Sequence, residues 1–76
     1  MKIEILGIGC PKCRKLFENA QEAVKNLGTG AEVVKVEDMQ EIINAGVMLT
    51  PAISVDGKVK AAGKVLSVDE IKKIIS

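Results

Sequence analysis

The 76-residue chain has no tryptophan, tyrosine or histidine, and Phe17 is its only aromatic residue. Without aromatic side chains the protein lacks the platforms on which single-stranded nucleic acids usually stack. A net charge of +1 gives no basic surface that would attract DNA or an anionic membrane. We therefore expect neither a nucleic-acid nor a membrane partner.

Long apolar runs are absent as well, and no stretch approaches the length that crosses a bilayer. The opening segment carries Glu4 within its apolar residues and has no small-residue cleavage site of the kind that ends a signal peptide. With 47% hydrophobic and 28% charged residues, the composition is that of one small globular domain spanning residues 1–76. We expect a cytoplasmic monomer.

Cysteine is scarce, but its two copies lie three residues apart in Cys10-Pro11-Lys12-Cys13. In a reducing compartment such a pair more often serves catalysis, redox sensing or metal binding than stability, and the bridge it could form closes too short a loop to restrict the unfolded chain much. At the first turn of a helix, unpaired backbone N–H groups and the helix dipole favour a thiolate at Cys10. A thiolate is the nucleophile in disulfide exchange, and a second thiol can displace the resulting mixed disulfide. The spacing therefore indicates dithiol redox chemistry.

The two cysteines also differ in their place on the predicted helix. Cys13 falls on the apolar stripe that continues through Leu16 and Ala20, so its side chain should face inward. Cys10 lies outside that stripe and should stay more accessible. We therefore expect the two sulfurs to have different roles.

Hydrophobic periodicity and turn residues predict seven elements in the order βαβαββα. In chain order they are strand Lys2 to Ile8, helix Pro11 to Leu27, strand Ala31 to Val36, a short helix opened by Asp38 and ending at Gly46, strands Ala52 to Val55 and Val59 to Ala62, and a helix from Ser67 to Ile75. We expect Met39 to lie on the inner face of the second helix. The order predicts an α/β fold with a four-stranded mixed sheet, three helices on its faces, and the cysteines at the carboxyl end of the first strand.

Local motifs support these boundaries. Ser67 with Glu70 forms a capping-box pattern at the start of the last helix. Asp56-Gly57 between two β-prone runs is a strong signal for a hairpin turn. Thr50-Pro51 directly precedes the third strand, where a proline costs no ladder hydrogen bond and where an X-Pro bond can be cis.

Taken together, Cys10-Pro11-Lys12-Cys13, Thr50-Pro51 ahead of a hairpin, Asp56-Gly57 in its turn and the closing helix resemble the thioredoxin-like fold in its glutaredoxin-sized form. The whole chain is similar to the small thioredoxin-like redox-active disulfide proteins of archaea and bacteria. This resemblance implies that Pro51 is cis and packs against the disulfide. It also implies that Cys10 attacks a substrate disulfide, that Cys13 resolves the mixed disulfide, and that these two cysteines with Pro51 are the catalytic residues.

The resemblance further implies that the backbone around Thr50 pairs with an extended substrate segment. The candidate substrate-binding residues are Pro11, Lys12, Leu49 and Thr50. No glycine-rich dinucleotide or flavin fingerprint occurs, so we expect no organic cofactor. The expected function is that of a thiol-disulfide oxidoreductase acting on protein or small-molecule disulfides. Electrons would come from an upstream reductase or a small thiol, and the partners would be proteins that contain disulfides.

A soft-metal carrier is the alternative, because Gly7-Ile8-Gly9-Cys10-Pro11-Lys12-Cys13 also resembles the Gly-Met-x-Cys-x-x-Cys loop of copper- and zinc-binding domains. Two thiolates can hold Cu(I). Those domains end in a strand, whereas Ser67 to Ile75 is capped and periodic as a helix. A structural zinc site needs more ligands than a chain with two cysteines and no histidine supplies, so we assign no metal ligand.

Overall fold

The computed structural model describes residues 1–8 and 11–75. Its elements are β1 Lys2–Leu6, α1 Pro11–Leu27, β2 Glu32–Val36, α2 Met39–Asn44, β3 Ala52–Val55, β4 Lys58–Ala62 and α3 Val68–Ile75. The predicted order βαβαββα is confirmed, and the boundaries differ from expectation by a residue or two. None of the helices in these ranges is both long and apolar enough to cross a bilayer.

The strands form one mixed sheet in the order β2-β1-β3-β4. β1 and β2 are parallel, whereas β3 runs antiparallel to both β1 and β4. The register of β3 and β4 shifts between Ile53 and Ser54, so that Lys60 forms a bulge on the edge strand. Because β1 is an inner strand and leads directly towards α1, its carboxyl end brings the start of α1 to the middle of the sheet.

One face of the sheet is covered by α1 and α3. Ile3 and Ile5 of β1 alternate with Glu4 and Leu6, so the two isoleucines point to this face while their neighbours point to the other. The buried cluster on the first face comprises Ile3, Ile5, Leu16, Ala20, Ala23, Ile53, Val55, Leu66, Ile71 and Ile75. This face holds most of the core, as the apolar stripes of the two helices require.

The other face has a smaller cluster, in which Leu6, Val36 and Ala52 of the sheet pack with Ile42 of α2. Ile42 is the buried residue of this short helix. The prediction that Met39 faces inward is wrong, because its side chain is 58% exposed. α2 is six residues long and is buried through Ile42, so Met39 at its first position lies outside the packed contact.

The predicted capping box at α3 is confirmed. The Ser67 N–H donates to Glu70 Oε1 at 3.0 Å, and the Glu70 N–H donates to Ser67 Oγ at 3.2 Å. The hairpin turn is also as expected, with positive φ angles of 50° at Asp56 and 85° at Gly57. The Asp56 carboxylate accepts a hydrogen bond from the Lys2 N–H at 2.8 Å, which ties the turn to the start of β1.

Burial predicts unequal effects for two isoleucines on different helices. Ile71→Ala should lower the free energy of unfolding by about 2–5 kcal/mol, because its side chain is fully buried between α3 and the sheet. Ile43→Ala is the matched control, since that side chain is 58% exposed, and it should cost about 0.5 kcal/mol or less. Urea denaturation of both variants checks the assignment, and equal losses would contradict it.

The α3 cap also predicts a pH dependence. The backbone N–H of Ser67, and next its side chain, hydrogen-bond the Glu70 carboxylate and hold its pKa below the ordinary value of 4.5. Since the folded-state pKa is the lower one, this contribution to stability is present above the unfolded-state pKa and is lost as the pH falls through the folded-state pKa. Glu70→Gln should therefore lose less stability than the wild type on acidification. Urea unfolding over a series of acidic pH values tests this, and parallel curves would contradict it.

Candidate functional site

Three segments of the chain meet at Gly7, directly after β1. Gly7 is buried, and its N–H donates to the carbonyl of Val36 at 3.0 Å. A Cβ atom on Gly7 would collide with Sγ of Cys13, and it would lie 3.4 Å from Cβ of Cys13 and 3.8 Å from Cα of Pro51. The absence of a side chain at Gly7 therefore allows the Cys13 sulfur and the Pro51 backbone to approach the same point.

Cys13 is the third residue of α1 and is 8% exposed. It lies on the same buried stripe as Leu16 and Ala20, so the predicted inward orientation is confirmed. Gly9 and Cys10 lie outside the described residues. The accessibility and the role of Cys10 therefore stay predictions.

Pro51 is buried, and the peptide bond between Thr50 and Pro51 is cis, as the sequence resemblance implies. Its position immediately before β3 suits a residue that has no N–H to donate. Its carbonyl does take part in the structure, because it accepts a hydrogen bond from the Gly63 N–H at 2.9 Å. Pro51 is thus bound at the junction between the loop and the sheet.

The candidate substrate-binding residues are all exposed. Pro11 and Lys12 lie in the first turn of α1, while Leu49 and Thr50 lie in the loop that precedes Pro51. What these residues bind stays a prediction. The structure brings Cys13 and Pro51 together and leaves these four on the surface.

The surface next to this junction is apolar on the loop side. Ile8, Met48 and Leu49 are 51%, 94% and 64% exposed. Ile8 follows Gly7 directly, and Met48 and Leu49 shortly precede Pro51, so the three belong to the two segments that meet there. Exposed apolar side chains on segments that meet in this way suit contact with another molecule.

The opening turn of α1 is cationic. Its first turn contains no acidic residue, and Lys12, Arg14 and Lys15 are exposed. Their charge has the same sign as the positive end of the helix dipole, so both favour an anion at this end of the helix. This environment is of the kind that promotes a thiolate.

Two glycines of this region have roles that the sequence did not reveal. In the structure Gly7 makes room for the Cys13 sulfur, and Gly63 holds the carbonyl of Pro51. No sequence signal separates these glycines from the others, because both roles depend on contacts that exist only in the folded chain.

Within residues 1–8 and 11–75, no group of three or more histidine, cysteine or carboxylate side chains could hold a metal ion. The last element described is the helix α3 and not a strand. This is the feature that separates the chain from the ferredoxin-like metal carriers that its cysteine loop also resembles.

Comparison with known proteins agrees with the geometry. A family model described as "Thioredoxin domain" matches residues 1–76. The chain belongs to the thioredoxin-domain family. A protein named "Thioredoxin" from Methanothermobacter thermautotrophicus is 50% identical over 76 residues, which cover 100% of this chain and 99% of that protein.

Two further relatives of this thioredoxin-family chain have similar names. A "Thioredoxin" from Methanocaldococcus jannaschii is 46% identical over 71 residues, covering 93% of this chain and 81% of the relative. A "Probable Thioredoxin" from Methanothermobacter marburgensis is 34% identical over 67 residues, covering 83% and 79%. The thioredoxin-like fold predicted from the sequence is confirmed by the match to the family model and by the observed topology.

The contact at Gly7 predicts an interaction between two substitutions. Gly7→Ala should lower the free energy of unfolding by about 1–3 kcal/mol, because the added methyl group overlaps the Cys13 sulfur. In a Cys13→Ala background the same substitution should cost clearly less, since the sulfur is gone. A double-mutant cycle by urea denaturation under reducing conditions measures the difference, and an equal cost in both backgrounds would contradict the contact.

Proposed function

We propose that this member of the thioredoxin-domain family is a thiol-disulfide oxidoreductase that works through Cys10 and Cys13. Its family membership supports the class of reaction. The observation that carries the proposal for this chain is the meeting of Cys13 and Pro51 at Gly7, beside the opening turn of a helix. Disulfide exchange needs a thiolate, and the N-terminus of a helix favours the thiolate over the thiol.

In the proposed reaction the Cys10 thiolate attacks one sulfur of a substrate disulfide. A bond forms between Cys10 and that sulfur, the substrate's own S–S bond breaks, and the other substrate sulfur leaves as a thiolate that takes a proton from water. Cys13, as its thiolate, then attacks the Cys10 sulfur and releases the second substrate thiol. The substrate gains two electrons, and the protein is left with a Cys10–Cys13 disulfide.

The burial of Cys13 fits the resolving role. A thiol that is 8% exposed is poorly placed to meet a disulfide arriving from solvent. It can react with a mixed disulfide formed at Cys10, which is three residues earlier in the sequence. Intramolecular attack of this kind benefits from proximity, so low exposure does not prevent it.

The exposed residues around the pair would bind the substrate. In this proposal the backbone of Thr50 pairs with an extended segment of the substrate, while Pro11, Lys12 and Leu49 contact its flanks. Turnover requires an external electron donor, either a reductase or a small thiol, because each proposed reaction leaves the two cysteines as a disulfide that must be reduced again. We also propose, as the sequence predicts, that the protein is a single-domain monomer in the cytoplasm.

Single substitutions of the cysteines should have different consequences. Cys10→Ser should reduce the rate of insulin disulfide reduction by about 10³-fold or more, because the attacking sulfur is lost. Cys13→Ser should also stop turnover, but it should accumulate a mixed disulfide with substrate through Cys10. Intact-protein mass spectrometry after exposure to a chromogenic aryl disulfide measures the adduct.

Cys13→Ser and Cys10→Ser are matched controls for each other, because each variant keeps one of the two thiols and loses the other. Equal loss of turnover with no trapped adduct in either variant would contradict the assigned roles. A soft-metal carrier would give a different result: stoichiometric uptake of Cu(I) by the wild type together with no reduction of insulin or of the aryl disulfide. That result would replace the proposal with the alternative.

A further inference from the structure

A groove of about 440 Å³ lies between the edge strand β4 and helix α3. We call it the β4–α3 groove. The charged residues that line it are Lys60, Lys64, Lys73 and Glu70, and all four are exposed. Because three lysines face one glutamate, the lining has an excess of positive charge.

The glutamate of the groove is already engaged by the protein. Glu70 Oε1 accepts the Ser67 N–H at 3.0 Å in the capping box of α3. The hydrogen bonds from Ser67 lower the pKa of Glu70 most, and the charges of Lys64 and Lys73 act in the same direction. One carboxylate therefore serves both the helix cap and two ammonium groups, and it cannot neutralise all three lysines.

Protection of the sheet edge explains only part of this charge. Lys60 is the bulged residue of an edge strand, and lysines and bulges at such positions discourage pairing with a further strand. Lys64 follows the end of β4 and Lys73 belongs to α3, so neither protects the strand edge. The β4–α3 groove therefore suits a partner that binds through opposite charge and not through strand pairing.

The β4–α3 groove begins next to the candidate site. Lys64 directly follows Gly63, whose N–H donates to the Pro51 carbonyl at 2.9 Å. A Cβ atom on Gly63 would also lie 3.0 Å from Cδ1 of Leu49. A protein whose disulfide reaches the site would consequently extend over, or close to, the lysines of the groove.

The charges of the chain are divided between the two edges of the sheet, since β2 and β4 are its outer strands. The segment 32–41, which contains β2, has four carboxylates and one lysine: Glu32, Glu37, Asp38, Glu41 and Lys35. The segment 58–73, which begins with β4, has five lysines and two carboxylates: Lys58, Lys60, Lys64, Lys72, Lys73, Asp69 and Glu70. The net charge of +1 thus conceals a positive edge opposite a negative one. A field of this kind orients an approaching charged partner.

We propose that the β4–α3 groove docks an acidic segment of a protein whose disulfide is exchanged at the adjacent site. Lys60, Lys64 and Lys73 pair with carboxylates of that segment and bring its disulfide to the opening turn of α1. Complementary charge of this kind acts mainly on the rate of encounter and on the choice of partner. The inference rests on the proposed function, because it names the chemistry of the partner that the same site serves.

The test uses synthetic peptides that share one intramolecular disulfide and differ only in a tail of glutamates, glutamines or lysines. At low ionic strength the wild type should show kcat/KM about tenfold higher for the glutamate peptide than for the glutamine peptide, and lowest for the lysine peptide. Added NaCl should bring the glutamate-to-glutamine ratio towards one, because salt screens the attraction. A ratio near one at low ionic strength overturns the proposal.

Two pairs of substitutions place the effect in the groove. Lys60→Gln with Lys64→Gln should reduce the glutamate-to-glutamine ratio to within about twofold of one, whereas Lys60→Arg with Lys64→Arg should keep it, because the charge is retained.

Lys2→Gln with Lys25→Gln is the matched control, since it removes the same charge from exposed residues at the start of β1 and in the last turn of α1, away from the site. This control should keep the wild-type ratio. An equal fall in both glutamine pairs would show that overall charge is responsible and would contradict the groove.

A binding measurement without turnover separates this inference from the proposed function. The glutamate peptide with serines in place of its cysteines should shift the backbone amide resonances of Lys60, Lys64 and Lys73 and leave those of Lys2 and Lys25 unchanged. Unchanged resonances in the groove overturn the docking site even in an active enzyme. Failure of the wild type to reduce any of the peptides overturns the proposed function, while the resonances still report whether the groove binds carboxylates.

Other occupants of the groove would give different results. If the wild type self-associates at low salt in sedimentation equilibrium and Lys60→Gln with Lys64→Gln abolishes this, the occupant is the acidic edge of a second copy. If single-stranded DNA shifts the groove resonances at lower concentration than the glutamate peptide does, the groove binds nucleic acid. Either result overturns the proposal, whereas a monomer that prefers the glutamate peptide supports it.

Discussion

The approach of the Cys13 sulfur to the bare Cα of Gly7 is the contact on which the geometry of the site depends. Gly7 follows β1, an inner strand that is paired on both sides, and its own N–H is bound to Val36 of β2. The position of Gly7 is therefore fixed by the sheet. Because Cys13 lies on the buried face of α1 against this point, the sheet also sets how close the first turn of α1 can come. Pro51 approaches the same glycine, so one position without a side chain orders the helix, the strand and the loop together.

The two faces of the sheet are packed to different extents. The face under α1 and α3 contains the larger buried cluster, whereas α2 covers the other face with Ile42 as its buried residue. The segment after α2 consequently has few buried anchors until Pro51. Loops held by a rigid scaffold at their ends commonly carry binding residues, since their middle can expose side chains without loss of core packing. Met48 and Leu49 are exposed in this way while Pro51 is buried.

Elements and faces were predictable from the sequence because they depend on local periodicity and capping. The capping box of Ser67 and Glu70 and the Asp56-Gly57 turn each involve residues that are close in sequence. Cys13 belongs to an apolar stripe whose spacing can be read along α1. Met39 was mispredicted, since helical periodicity does not show that this short helix packs on the sheet through Ile42 while its first residue stays exposed. The roles of Gly7 and Gly63 were hidden for a related reason. Each depends on how closely another part of the fold approaches the glycine.

These two glycines, Gly7 and Gly63, contact the same short loop. They lie at the ends of β1 and β4, the two strands that pair with β3. Gly7 approaches the Cα of Pro51 from the end of β1, and Gly63 binds the Pro51 carbonyl and contacts Leu49 from the end of β4. β1 and β4 are the strands on either side of β3, so the residue that leads into β3 is held from both neighbours. With Phe17 as its only aromatic residue, the chain has few large rigid side chains with which to shape a binding surface. Close backbone approach at two glycines provides the rigidity instead, and it does so next to the sulfur.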